Sequence, residues 1–195
     1  MYFPKITGDR VYLSPMDPDD VLIYTKWMND PEVTIGLGNH SAIYSLLKQK
    51  DVLESFTRSQ ENINLAIIDK ATDRLIGNCG LKDINHQHRR GELGIFIGEA
   101  AFRGQGHGTE AMALLLDFGF RVLNLHNINL KYFSFNKRGE RAYRKLGFKE
   151  VGRRREAVIY NGTFYDDVEM DILADEFRQG PYADIAQLDL EGYEF

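Results

Sequence analysis

Two hydrophobic periods alternate along this chain, and the switches between them mark its elements. Alternating or short apolar runs, the signature of a strand, cover residues 11–14, 63–68, 75–81, 92–98 and 128–135. Residues 150–160 and 164–173 flank Asn161-Gly162, a two-residue turn signal that predicts a hairpin. Asp69-Lys70-Ala71-Thr72-Asp73 predicts another. Helical spacing appears first at Val21, Tyr24 and Met28, behind Asp17 as N-cap and Pro18 at the first helical position. Asn29-Asp30-Pro31 ends that helix, and Gly36-Leu37-Gly38-Asn39 reads as a loop. A second helix is expected over residues 41–59, with Leu46, Leu47, Leu53 and Phe56 as its apolar positions. A third spans 109–122 with a stripe of Ala111, Leu114, Leu115, Phe118 and Val122. Asn136 caps a short fourth helix that carries Ala142, Tyr143 and Leu146 and stops at Gly147.

One junction between these elements carries chemistry. The run Glu92-Leu93-Gly94-Ile95-Phe96-Ile97-Gly98 is followed by Arg103-Gly104-Gln105-Gly106-His107-Gly108 and then by the helix that opens at Thr109. Strand, glycine-rich turn and helix together present unpaired backbone N–H groups at a positive helix end, where phosphate binds. Glycine lets the backbone approach the phosphate and adopt positive φ, and Arg103 can add charge-assisted bonds. No Lys-Ser or Lys-Thr follows, so the triphosphate-binding loop pattern is unmet. The spacing also misses the dinucleotide fingerprint. A plain tight turn is the alternative.

Composition adds bounds rather than detail. The chain has 195 residues, 43% hydrophobic and 27% charged, which suits one globular core. A net charge of −5 argues against a general nucleic-acid binder and would suit a cationic substrate such as an amine. Cys79 is the only cysteine, so no internal disulfide forms, and its place in an apolar run reads as a small buried residue. Neither a signal peptide at the N-terminus nor an apolar run long enough to span a membrane is present, so a cytoplasmic protein is expected. The histidines lack metal-ligand spacing, so no metal is expected. A domain over residues 1–174 and an acidic extension over 175–195 complete the expected organisation.

The glycine loop resembles the Arg/Gln-x-x-Gly-x-Gly signature of the GNAT acetyltransferase superfamily, through Arg103, Gly106 and Gly108. The segment from Asn136 through Gly139, Tyr143, Gly147 and Phe148 is similar to its Asn-x-x-Ala-x-x-x-Tyr-x-x-x-Gly-Phe stretch, with Gly139 where alanine or serine is commoner. Tyr24-Thr25-Lys26-Trp27-Met28-Asn29-Asp30-Pro31 resembles the branch of ribosomal-protein N-terminal acetyltransferases. Asn85-His86-Gln87-His88-Arg89-Arg90 also resembles spermidine acetyltransferases of that branch.

The resemblance implies an α/β (α+β) fold, a mixed, mostly antiparallel sheet flanked by helices, with strands 92–98 and 128–135 splayed apart. It implies acetyl-CoA as cosubstrate, with pantetheine against the backbone of Ile95, Phe96 and Ile97. The pyrophosphate would lie on Arg103, Gly104, Gln105, Gly106, His107, Gly108 and Thr109. Asn136 would contact the cofactor or its water, or act only as a helix cap. The reaction implied is acetyl transfer to a primary amine, a peptide or ribosomal-protein α-amine ahead of spermidine or another small amine. Tyr143 would be the acid on the leaving thiolate and Glu92 the general base, with His86 and His88 as weaker candidates. The plainer roles are core packing for Tyr143 and a solvated strand end for Glu92. A non-catalytic acyl-CoA-binding module and a nucleotide-binding module are the other classes to test. The branch also implies a homodimer as one oligomeric option.

Overall fold

The computed structural model describes residues 1–185. Its strands are β1 (Ile6–Thr7), β2 (Val11–Pro15), β3 (Ile63–Asp69), β4 (Arg74–Asn85), β5 (Arg90–Ile97), β6 (Asn127–Phe133), β7 (Lys149–Tyr160) and β8 (Thr163–Leu173). The helices are α1 (Val21–Met28), α2 (Pro31–Leu37), α3 (Leu46–Arg58), α4 (His107–Asp117), α5 (Lys137–Leu146) and α6 (Ala174–Arg178). One open sheet runs β1-β2-β3-β4-β5-β6-β8-β7. Its pairs are antiparallel except β5 with β6, which run parallel. This is the mixed, helix-flanked sheet that the resemblance implies.

Side-chain alternation gives the sheet two apolar faces. On one, Leu93, Ile128, Leu130, Tyr132, Val168, Met170 and Ile172 pack with α4, α5 and α6. On the other, Ala66, Ile68 and Leu75 pack beneath Tyr24, Trp27, Val33 and Leu53 of α1–α3, with Phe96 of β5 against the same cluster. Asn161 and Gly162 both take positive φ, 47° and 77°, as the β7–β8 turn requires.

Several elements differ from the sequence expectation. The Asn29-Asp30-Pro31 break opens another helix: Asp30 accepts from the Glu32 N–H at 2.9 Å and Pro31 starts α2. The predicted loop at Gly36–Gly38 is therefore the end of a helix, closed by Gly38 at φ 73°. Its seven residues, with Gly36 among them, are too few to show a period, although the Asp-Pro start was visible. The next helix begins at Leu46 rather than 41, because the Ser45 hydroxyl caps the Lys48 N–H. Only Leu53 of its four expected apolar positions is buried, while Leu46, Leu47 and Phe56 are exposed and Gln49 faces inward.

Ala111, Leu114 and Leu115 form the buried stripe of α4 as expected. Residues 118–122 then form a π turn, with the Leu123 N–H on the Phe118 carbonyl at 3.1 Å. The wide turn advances the register, so Val122 is exposed and Phe120 is buried against Phe177 at 5.5 Å. Phe177 lies on α6, so the expected acidic extension carries a residue buried in the core near its start, while Asp175 and Arg178 are exposed. Asp189, Glu191 and Glu194 lie outside the described residues.

Candidate active site

Strands β5 and β6 pair at Arg90–Asn127, Gly91–Ile128 and Glu92–Asn129, and beyond Glu92 and Asn129 they share no pairing among the described residues. Leu93 to Ile97 and Leu130 to Phe133 therefore present backbone N–H and C=O groups into a cleft. Such edges must be satisfied by something, and a chain of amides fits there as an added strand would. Ile95 and Ile97 turn their side chains to the α4 core and Phe96 turns its ring to Tyr24 and Trp27. What their backbone does not give to β4, or to Arg103 at the Ile97 carbonyl, remains for a ligand.

Past the strand, residues 100–102 make a single turn and the chain reverses through Gly104 (φ 75°) and Gly106 (φ 94°) into α4. The first N–H donating into the α4 ladder is that of Glu110, to the Gly106 carbonyl at 3.0 Å. Among the described residues, the N–H groups of Gly104, Gln105, Gly106, His107, Gly108 and Thr109 have no hydrogen-bond partner. A Cβ on Gly108 would make ordinary contact with Ile97 Cγ1 at 3.4 Å, which shows how closely the α4 start lies on β5. The result is an N–H cradle at a helix end, which fits a pyrophosphate.

Side chains of that loop depart from the sequence reading. Arg103 does not point into the cradle. Its Nε donates to the Ile97 carbonyl at 3.0 Å, Nη2 to the Gly98 carbonyl at 2.7 Å, and Nη1 to Glu32 at 3.0 Å. Its fork satisfies two strand-end carbonyls and ties α2 to β5. His107 also turns inward, 3.4 Å from Asp69 and edge-on to Phe102 at 5.2 Å. The Gln105 side chain folds back onto the Ala101 carbonyl, and Glu110 accepts the Arg10 and Val11 N–H groups. What remains for an anion is backbone.

Across the cleft, Tyr143 of α5 sits against Tyr132 at 5.6 Å and Phe148 at 6.3 Å. Burial, with the neighbouring Tyr132, pushes its hydroxyl up to about 12, so the phenol is protonated at neutral pH. The packing role expected of it is real. Asn136 is the helix cap, its Oδ1 accepting from the Gly139 N–H at 2.9 Å. A Cβ on Gly139 would meet the Asn136 amide nitrogen at 2.7 Å, so alanine here would need a small shift of that side chain.

Glu92 lies on the opposite face from Leu93, at the point where the splay begins. One carboxylate oxygen is 2.8 Å from Lys82 of β4 and the other 3.6 Å from Lys131 of β6. Strand pairing alone brings these lysines to it, so no local signal pointed to them. Asn129 beside them donates to Glu169 at 2.8 Å, continuing a polar row across the sheet. His86 and His88 are exposed in the β4–β5 turn. Cys79 is fully buried, and burial pushes its thiol up, which removes it as a nucleophile.

A splayed parallel pair beside an N–H cradle is the arrangement to which comparison with known proteins assigns a family. The acetyltransferase (GNAT) domain model matches residues 10–149. The chain belongs to the GNAT acetyltransferase family. It is 30% identical over 167 residues to the uncharacterized N-acetyltransferase YoaA of Bacillus subtilis, covering 84% of this chain and 93% of that protein. It is 31% identical over 132 residues to spermidine N(1)-acetyltransferase of Escherichia coli K12, covering 64% and 70%. In fold it is similar to a Vibrio cholerae spermidine N-acetyltransferase solved with CoA and spermine, with a TM-score of 0.78, 24% identity, and coverage of 86% and 98%. This GNAT protein is an acetyl-CoA-dependent N-acetyltransferase.

Proposed function

We propose that this acetyltransferase acetylates an α-amine, that of a peptide N-terminus or a small amino compound. The observation behind this is the engagement of Glu92 by two ammonium groups at 2.8 and 3.6 Å. An alkylamine with a pKa near 10.4 is neutral in about one molecule in 2,500 at pH 7, a deficit of roughly 4.6 kcal/mol. For an α-amine the deficit is about 1 kcal/mol. A site whose carboxylate is already shared between two lysines suits the acceptor that needs less help. Glu92 then acts by holding water or the amine at the splay, and accepts a proton once a lysine releases it.

Acetyl-CoA supplies an activated acetyl group in thioester linkage. The N–H cradle from Gly104 to Thr109 binds its pyrophosphate, while the edge of Ile95–Ile97 pairs with its amides and excludes water. An edge N–H of β5 serves the developing oxyanion. Tyr143 donates a hydrogen bond toward the leaving sulfur. A phenol held at about 12 is a weaker acid than a thiol near 8.5. Its contribution is orientation and charge stabilisation, with the proton itself reaching the sulfur from the solvent or from the attacking nitrogen, which sheds it as the amide forms.

Polyamine acetylation is the second reading. The likeness to spermidine N(1)-acetyltransferases supports it. So does the row of Asp167, Glu169 and Asp171, which alternation puts on the Glu92 face of β8. Against it, Glu169 and Asp171 already accept from Asn129 and Asn127, and no acidic residue stands between Val33 and Lys50. A thiol-release assay with acetyl-CoA separates the readings, using spermidine and peptides with free or blocked N-termini. Turnover on free N-termini alone supports the first. Turnover on spermidine alone overturns it in favour of the second.

A further inference from the structure

Gly94 has no reason within the fold to be glycine. Its neighbours in the sheet do. A Cβ on Gly77 would lie 2.2 Å from the Phe96 carbonyl oxygen and one on Gly80 2.4 Å from that of Ile63. At Gly94 the same Cβ would meet nothing within 4 Å, and φ lies outside the left-handed region. The residue is exposed in the middle of β5, where a glycine weakens a strand by entropy and by the contact it fails to make. Open space that the chain leaves unfilled at such a position marks the close approach of something else.

Its surroundings say what approaches. Leu93, Ile95 and Ile97 pack toward α4, so Gly94 shares the opposite face with Glu92 and Phe96. Phe96 and its T-shaped partners Tyr24 and Trp27 wall one side. Counting on from the Glu92–Asn129 pair, Lys131 stands across the splay from Gly94 and Phe133 across from Phe96. Phe133 also closes on the α2 cap at Gly38. The N–H cradle lies on the other face, where α4 covers Ile97. A ligand held in that cradle and threaded through the splay would emerge on the α1–α3 face beside Gly94.

We infer that Gly94 is the aperture through which the acceptor amine meets the thioester, and that its missing side chain admits the amine-bearing carbon. This deepens the acetyltransferase reading above and rests on it. The acceptor class it selects is a primary amine whose nitrogen-bearing end is narrow enough to pass between Phe96 and Phe133. Bulk at Gly94 excludes the acceptor while leaving the cofactor cradle untouched.

The test compares Gly94→Ala and Gly94→Val with wild type, and uses Gly152→Ala as a control. Gly152 likewise has open space around its Cβ but lies on β7, away from the cleft. Acetyl-CoA affinity is read by calorimetry, kcat/KM on the amine that wild type acetylates fastest, and folding by thermal melting. The expected result is an unchanged acetyl-CoA Kd and a melting temperature no lower than wild type in both variants. kcat/KM should fall by about 100-fold or more in Gly94→Val, the scale of a misplaced reactant, with a smaller fall in Gly94→Ala and none in Gly152→Ala. Full turnover in Gly94→Val overturns the inference. So does loss of acetyl-CoA binding together with turnover, which would put Gly94 on the cofactor side. A wild type that binds no acetyl-CoA overturns the proposed function itself, and with it this inference.

Discussion

Single side chains decide the chemistry here, and two of them are set by burial. Tyr143 keeps its proton at neutral pH because its hydroxyl is buried beside Tyr132. Tyr143→Phe removes that donor while keeping the ring contacts. It should lower kcat by about 100-fold, the scale for losing one hydrogen-bond donor to a developing charge, with acetyl-CoA affinity unchanged by calorimetry. Cys79, fully buried with its thiol pushed up, should resist a thiol reagent at pH 8 in the native protein and react fully in denaturant. Both residues were legible from sequence, one by its motif and the other by its apolar surroundings. Arg103 and Glu92 were legible as positions but not as contacts. The strand-end carbonyls and Glu32 that hold the guanidinium, and the lysines that hold the carboxylate, come from other elements. Local pattern carries no information about them.

Among elements, α5 joins fold and site most tightly. Asn136 caps it through the Gly139 N–H, and Gly147 closes it at φ 99°. Asn136→Ala should cost about 1 kcal/mol, the usual loss for a helix cap, and Asn136→Asp should restore it; urea unfolding of the three proteins checks both. If Asn136 also touches the cofactor, the Asp variant will recover stability but not acetyl-CoA affinity. Caps and turns of this kind read directly from sequence because they act within one helical turn. The α2 helix and the π turn after α4 did not. The first is too short to show a period, and the second lies where Gly119 packs closely on Ile128 of β6, a contact the local pattern does not carry.

For the whole molecule, buried tyrosines set the alkaline limit of stability. An unfolded tyrosine loses its proton near pH 10, whereas Tyr143 holds its own until about 12 and burial raises Tyr24 well above the ordinary value. Between these limits the unfolded chain binds fewer protons than the folded one, so stability falls as pH rises. The contribution is complete below pH 10 and is lost on going through 12. Melting temperature measured from pH 8 to 11 should hold level up to about 10 and fall beyond it; a level profile to pH 11 would contradict the burial of these hydroxyls.

By itself the amino-acid order determined every strand but β1, the hairpin at Asn161-Gly162, the glycine-rich turn before α4 and the caps of α5, because periodicity, turn chemistry and capping act over a few neighbouring residues. The tertiary structure alone decided where β5 and β6 part, which face of the sheet each site residue joins, and which side chains are already spent on other partners. Those outcomes depend on strand order and register. They bring Lys82, Glu92, Lys131 and the open space at Gly94 together from strands that the chain visits far apart.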